Sequence, residues 1–234
     1  MTSREKPVGA FAASVPRAAA AGAKPLDAWW TVLVIDPVAL RILPFLSGVA
    51  AVTPMRLTLA AAALSAASVA AFVGEHFIAG ALLFQAGFFI DCLDGKLARI
   101  RGETSALGAF LDRLLDLLFR TALFVVLALH VFPDSRIAPV LVASVVFLES
   151  WLRLYPASRP TRDGSARFGA VRRAKAAMAK RRMVLLPSTV EFETLSLFLA
   201  PLTGHLGVIR VALVIAVGGY VFYSVVHALR FLRR

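Results

Sequence analysis

Between Asp91 and Asp116 the chain reads DCLDGKLARIRGETSALGAFLDRLLD. Asp91, Asp94, Gly95, Ala98, Arg99, Gly108, Asp112 and Asp116 fall in it as D-x2-D-G-x2-A-R-x8-G-x3-D-x3-D. The flanking segments are apolar enough to enter a bilayer, where an ionisable side chain is costly and marks a functional site. Asp91 and Asp94 are three residues apart and Asp112 and Asp116 four apart, so on helices each pair shares one face. Two such helices meeting here would gather four carboxylates, which repel one another unless cations intervene. Oxygen ligands of this kind suit Mg²⁺, Mn²⁺ or Ca²⁺ rather than zinc. Two ions bound together could clamp the attacking and leaving oxygens of a phosphoryl transfer.

The intervening residues fit that chemistry. Gly95 follows Asp94 at what reads as the end of a helix, where a missing side chain allows a turn or close approach to a ligand. Gly108 leaves room one turn before Asp112. Lys96 and Arg99 offer positive charge for a phosphate beside the carboxylates.

The pattern resembles the signature of the CDP-alcohol phosphotransferase family, membrane enzymes of phospholipid synthesis, and every fixed position matches. A shorter likeness lies at Thr53-Pro54-Met55-Arg56-Leu57-Thr58, where Pro54 and Thr58 fit and Met55 stands where Asn is common. The resemblance implies that Asp91 and Asp112 bridge two Mg²⁺ or Mn²⁺ ions and that Asp94 completes the first. Asp116 would ligate the second or act as general base on the acceptor hydroxyl. Gly95, Arg99 and Ser105 would lie against the CDP moiety, with Thr58 nearby. The alcohol would attack the β-phosphorus and CMP would leave. CDP-diacylglycerol is the favoured donor among CDP-alcohols, and a homodimer is implied as well.

The rest of the chain agrees with a membrane enzyme. Of its 234 residues 59% are hydrophobic, and the mean hydropathy is +0.77. Residues 1–28, rich in Ala, Pro and charge, read as a disordered cytoplasmic tail without the apolar core of a secretory signal. Residues 29–50, opening with Trp29 and Trp30 and broken by Asp36, Pro37, Arg41 and Pro44, read as an interfacial helix. Residues 51–232 then form the catalytic domain. The expected fold is all-α, with six transmembrane helices near 54–74, 76–95, 107–132, 137–156, 184–203 and 207–230. Cys92 is the single cysteine, which excludes an internal disulfide framework, and it reads as a small core residue.

Charge sets the orientation. Arg4, Lys6, Arg17 and Lys24 lie in the tail, Lys96, Arg99 and Arg101 beside the motif, and nine Lys/Arg between residues 157 and 183. Arg230, Arg233 and Arg234 close the chain, while the opposite connections hold little beyond Arg136. The positive-inside rule then puts both termini and the active site on the cytoplasmic face of the cell membrane. The net charge of +12 comes chiefly from these segments. It is read as attraction to anionic membrane lipids and not to nucleic acid, because the basic loop lacks interleaved aromatics apart from Phe168.

Other charged residues in the spans are expected to pair internally: Arg120 with a motif carboxylate one turn away, and Glu149 with Arg153 at i, i+4. Arg153 is also the candidate for reading the acceptor. The many arginines lean towards a phosphorylated polyol such as glycerol 3-phosphate or an inositol phosphate. Two other classes compete. A cation transporter would spread its polar residues through the bilayer, and a silent lipid-binding scaffold would not need the complete motif.

Overall fold

Thr53 and Pro54 start the first long helix by two local devices. The Thr53 hydroxyl oxygen accepts the Arg56 N–H at 3.3 Å, and Pro54 occupies the first turn, where no intrahelical donor is required. In the computed structural model, which describes residues 22–154 and 169–232, this helix is one of eight. The described residues contain no β-strand, only an isolated bridge between Asp27 and Met183.

In chain order they are α1 (Asp36–Ser47, entered through a π-helical turn at Thr31–Ile35), α2 (Pro54–Val73), α3 (Phe77–Arg101), α4 (Ala106–Val131) and α5 (Ala138–Leu154). After the undescribed residues come α6 (Gly169–Lys180), α7 (Thr189–Glu193) and α8 (Leu206–Leu232). A π-helical stretch at Thr194–Leu199 and a 3₁₀ turn at Pro201–Thr203 continue α7. Of the sequence-predicted segments, residues 1–21, the 155–168 part of the basic loop and Arg233–Arg234 lie outside the described residues.

Four helices are long and apolar enough to cross a bilayer: α2, α3, α4 and Leu206–Leu229 of α8. Each buries at most a third of its most apolar window inside the protein. Leu59, Phe110, Leu118, Val140, Val211 and Phe222 are among the apolar side chains left facing outwards. Surface of this kind belongs in lipid, so the chain is a multi-pass membrane protein. Helix α5 has 17 residues, and the segment from Thr189 to Thr203 changes helical type twice.

Two apolar cores hold the helices together. The larger joins Phe72 of α2, Phe124 and Leu127 of α4, Val146 of α5, and Leu213 and Tyr220 of α8. The smaller packs Ile35, Ala39, Leu40 and Leu43 of the N-terminal helix on Leu93 and Leu97 of α3. Opposite that buried stripe, α1 and its entry turn expose Leu33, Val38 and Phe45. Arg101 secures this packing, donating to the carbonyls of Leu46, Ser47 and Val49 through Nη2 and of Val52 through Nη1. The free carbonyls at the end of α1 are thereby satisfied.

The Asp91–Asp116 motif is arranged differently from expectation at one point. No helix ends at Gly95, because α3 continues to Arg101. Its stop is Gly102, whose φ of +68° is the left-handed conformation that favours glycine. The residues after Gly95, Lys-Leu-Ala-Arg-Ile-Arg, are mostly good helix formers and carry the helix through.

Candidate active site

Ser105 fixes the start of α4 by accepting the Gly108 N–H at 3.0 Å. Only the short connection from Gly102 to Ser105 separates α3 from α4, and it turns the two carboxylate-bearing helical ends towards each other. Oxygens of Asp91 and Asp94 on α3 and Asp112 on α4 all lie within 4.8 Å of one another. Asp94 is buried, and Asp91 and Asp112 are half-buried. None of the three has a Lys or Arg ion-pair partner among the described residues. Such a cluster repels itself at short range, and a divalent cation is the counter-charge that fits three convergent oxygens.

Thr58 orients one of these ligands. Its hydroxyl donates to Asp94 Oδ2 at 2.6 Å, while its oxygen also sits 3.1 Å from the Pro54 carbonyl. A single hydroxyl proton cannot serve both, and the charged, closer acceptor is the stronger. The residue that resembles a nucleotide contact in sequence thus also has a structural role at Asp94.

Asp116 differs from the triplet in having an arginine partner. Its Oδ2 lies 3.2 Å from Arg120 Nη2, and its side chain is about half exposed (47%). Arg120 reaches in the other direction to Glu193, Nε to Oε1 3.0 Å, and the same oxygen accepts the Tyr220 hydroxyl at 2.6 Å. The expected pairing of Arg120 with a motif carboxylate is present, and Glu193 and Tyr220 extend it. A second pair lies nearby: Arg153 donates to the fully buried Glu149 and, through Nη2, to Thr189 Oγ1 at 2.5 Å.

The four motif carboxylates, Arg120, Arg153, Thr189 and Glu193 line one cavity of about 590 Å³. Thr58, Asp91, Asp94, Gly95, Arg99, Ser105, Asp112, Asp116 and Arg153 are all on its wall, so every site residue singled out from the sequence reaches the same space. Lys96 differs from expectation. Its ammonium is buried against Asp36 Oδ1 at 3.1 Å and the Cys92 carbonyl at 3.2 Å, which removes it as a free phosphate ligand. Lys24, Asp27, Arg120 and Glu193 also line the cavity. Nothing local in the sequence marks Lys24 or Asp27, since their place depends on contacts made more than 60 residues away along the chain.

Comparison with known proteins agrees with this geometry. An archaetidylinositol phosphate synthase from Methanothermobacter thermautotrophicus is 39% identical over 82 residues, covering 35% of this chain and 38% of that protein. The match therefore spans well under half of the relative's length. The family model described as CDP-alcohol phosphatidyltransferase matches residues 51–222, from the approach to α2 into α8. That match takes in both carboxylate helices and most of the cavity wall, and the chain belongs to the CDP-alcohol phosphatidyltransferase family.

Proposed function

We propose that the protein transfers a substituted phosphate group, a phosphatidyl group by preference, from a CDP-alcohol such as CDP-diacylglycerol to a hydroxyl of a phosphorylated polyol, releasing CMP. The observation that carries this reading is the convergence of the Asp91–Asp94–Asp112 oxygens in a cavity that also holds Arg99, Arg120 and Arg153. The name of the archaeal relative favours an inositol phosphate over glycerol 3-phosphate as acceptor.

Asp91, Asp94 and Asp112 are the residues to hold Mg²⁺ or Mn²⁺, with Asp116 available to a second ion. Bound there, such ions supply charge neutralisation at the reacting phosphate. The protein's own groups account for the rest. Thr58 keeps Asp94 turned towards the cluster through its 2.6 Å hydrogen bond. Arg99 and Ser105 bind the CDP moiety against the small surface left by Gly95. Arg153, held by Glu149, meets the acceptor's phosphate. Asp116, steadied by Arg120 at 3.2 Å, accepts the proton of the acceptor hydroxyl as its oxygen bonds to the β-phosphorus. The bond from that phosphorus to the bridging oxygen breaks, and CMP departs with the electron pair.

In the bilayer we add α5 and the Thr189–Thr203 segment to the four long helices, giving six spans, with α1 lying at the interface. At 1.5 Å per residue α5 reaches about 25 Å, enough for a thin or locally compressed hydrocarbon layer. The basic blocks then share one side, which by the positive-inside rule is the cytoplasmic side of the cell membrane. Association as a homodimer and contact with anionic lipids belong to the same reading.

The test is CMP release from CDP-diacylglycerol by the purified protein with Mg²⁺ or Mn²⁺. Inositol phosphate, glycerol 3-phosphate and unphosphorylated alcohols serve as acceptors, beside an Asp116→Asn control. Acceptor-dependent release that is lost in the control supports the reading. Absence of release with every acceptor from folded, metal-supplied protein rejects it for this donor.

A further inference from the structure

The N-terminal approach to the cavity is clamped at its backbone on both sides of Lys24. Arg99 Nε donates to the Gly22 carbonyl at 2.8 Å. Gly22 lies so close to α3 that a Cβ there would sit 3.0 Å from the Ile100 side chain and 3.1 Å from the Lys96 carbonyl. Arg182 Nε and Nη2 both donate to the Lys24 carbonyl, at 3.0 and 2.9 Å. Asp27 then pairs with the strip after α6: its N–H donates to the Arg182 carbonyl at 2.8 Å, and its carbonyl accepts the Val184 N–H at 3.1 Å.

Arg182 is itself held with care. Its φ of +62° is an unfavourable conformation for a residue with a Cβ. The position is stabilised by Asp36, whose Oδ2 lies 2.9 Å from Arg182 Nη2 and whose Oδ1 binds Lys96 of α3. A chain of contacts thus runs from the catalytic helix through Lys96, Asp36 and Arg182 to the backbone of Lys24. The lysine inside the motif is consumed as an anchor, and the anchor fixes another lysine at the cavity rim.

The Lys24 side chain is not held in the same way. It is exposed yet lines the cavity with Asp91, Asp94 and Asp112, and no carboxylate within ion-pair distance engages its ammonium among the described residues. A cation on a fixed backbone, beside carboxylates that would bind metal, is suited to an anionic substrate group. We propose that Lys24 is a substrate-phosphate ligand of this active site, delivered by the backbone clamp from Arg99 and Arg182. This rests on the transferase reading above. The phosphate it meets belongs either to the donor's diphosphate or to the acceptor, and kinetics distinguish them.

The experiment uses the full chain reconstituted in lipid, as wild type, Lys24→Ala and Lys24→Arg, with donor and acceptor varied separately in the CMP-release assay. Lys24→Ala is expected to raise KM about tenfold for one substrate, with kcat within about threefold, and Lys24→Arg to restore most of the loss. A rise in donor KM assigns the diphosphate, and a rise in acceptor KM assigns the acceptor's phosphate. Unchanged KM for both overturns the proposal, as does an equal fall in kcat for both variants without a change in KM. Should the wild type release no CMP, the transferase reading fails, and calorimetric binding of CDP and of inorganic phosphate with Mg²⁺ decides the role of Lys24. Weakening of either probe by about fivefold or more in Lys24→Ala supports a phosphate ligand, and equal affinity in wild type and variant rejects it.

Discussion

Arg120 and Glu193 form an ion pair inside the bundle, with Nε 3.0 Å from Oε1 and both side chains mostly buried. The pair links the candidate base to the apolar core, because Arg120 also binds Asp116 and Tyr220, fully buried, donates to Glu193. Removing the Tyr220 hydroxyl deletes one hydrogen bond but leaves Glu193 paired, which costs about 1 kcal/mol. Removing the Glu193 carboxylate leaves the buried Arg120 with Asp116 alone and the Tyr220 hydroxyl without its acceptor, which costs about 2 kcal/mol or more. Thermal unfolding in detergent is therefore expected to fall by a few degrees in Tyr220→Phe and considerably further in Glu193→Ala. Equal shifts would show that the pair contributes little beyond packing.

Thr58 offers a test of metal binding that leaves every carboxylate in place. Its hydroxyl is the only side-chain donor to Asp94 among the described residues, at 2.6 Å. Thr58→Val keeps the shape and removes the donor. Loss of such an orienting partner typically weakens a metal site 10- to 100-fold. Titration of CMP release with Mn²⁺ should show half-activation moving to higher concentration by about that factor, with activity largely recovered at saturating metal. A fall in activity that no metal concentration restores would place Thr58 on the substrate instead.

The sequence discloses this site unevenly, for reasons that lie in the range of the contacts. Asp91, Asp94, Asp112 and Asp116 are legible because helical spacing of three and four residues already commits each pair to one face. The Arg120–Asp116 and Arg153–Glu149 pairs are legible for the same reason, and both form. Gly95 is misread as a helix stop because a glycine between charged residues resembles a C-cap, whereas the stop lies seven residues on at Gly102. The Lys96–Asp36–Arg182 chain has no local signature, since its members are drawn together only by tertiary packing. Residues 22–28 have the composition of a tail, and their place follows from donors on α3 and after α6. The change of helical type after Glu193 is likewise invisible to periodicity, which registers apolar length but not which carbonyl each N–H chooses.

Gly95 and Gly102 should respond oppositely to alanine. Gly95 lies within α3, and a Cβ there would meet only Arg99 Nη1, at 3.5 Å. Alanine should therefore stabilise the fold by about 0.5–1 kcal/mol through helix propensity. It should also impair catalysis if the CDP moiety rests on this surface. Gly102 has φ +68° with nothing near its would-be Cβ, so Gly102→Ala should cost about 1 kcal/mol in backbone strain while leaving catalysis largely intact. Melting temperature and CMP release measured on both variants separate the two effects. A Gly95→Ala protein with normal KM for the donor would remove that residue from the nucleotide contact.

Helix α6 carries Arg172, Arg173 and Lys180, is exposed along nearly all of its described surface, and packs extensively against no other helix among the described residues. A helix with so little helix packing has little reason to remain formed in water, since 12 residues are too few for helicity on their own. An anionic membrane surface would favour the exposed basic face of this helix, at about 1 kcal/mol for each basic residue near it. Amide hydrogen exchange over residues 172–180 should therefore be slow in nanodiscs rich in anionic lipid and fast in zwitterionic ones. The difference should shrink in high salt and in a variant with Arg172, Arg173 and Lys180 changed to Gln. Because Arg182 follows this helix and holds the Lys24 carbonyl, protection lost from α6 should be accompanied by faster exchange at the Asp27 N–H, which donates to the Arg182 carbonyl. Exchange at Asp27 that ignores lipid charge while α6 responds would show that the clamp at the active site stands independently of the basic helix.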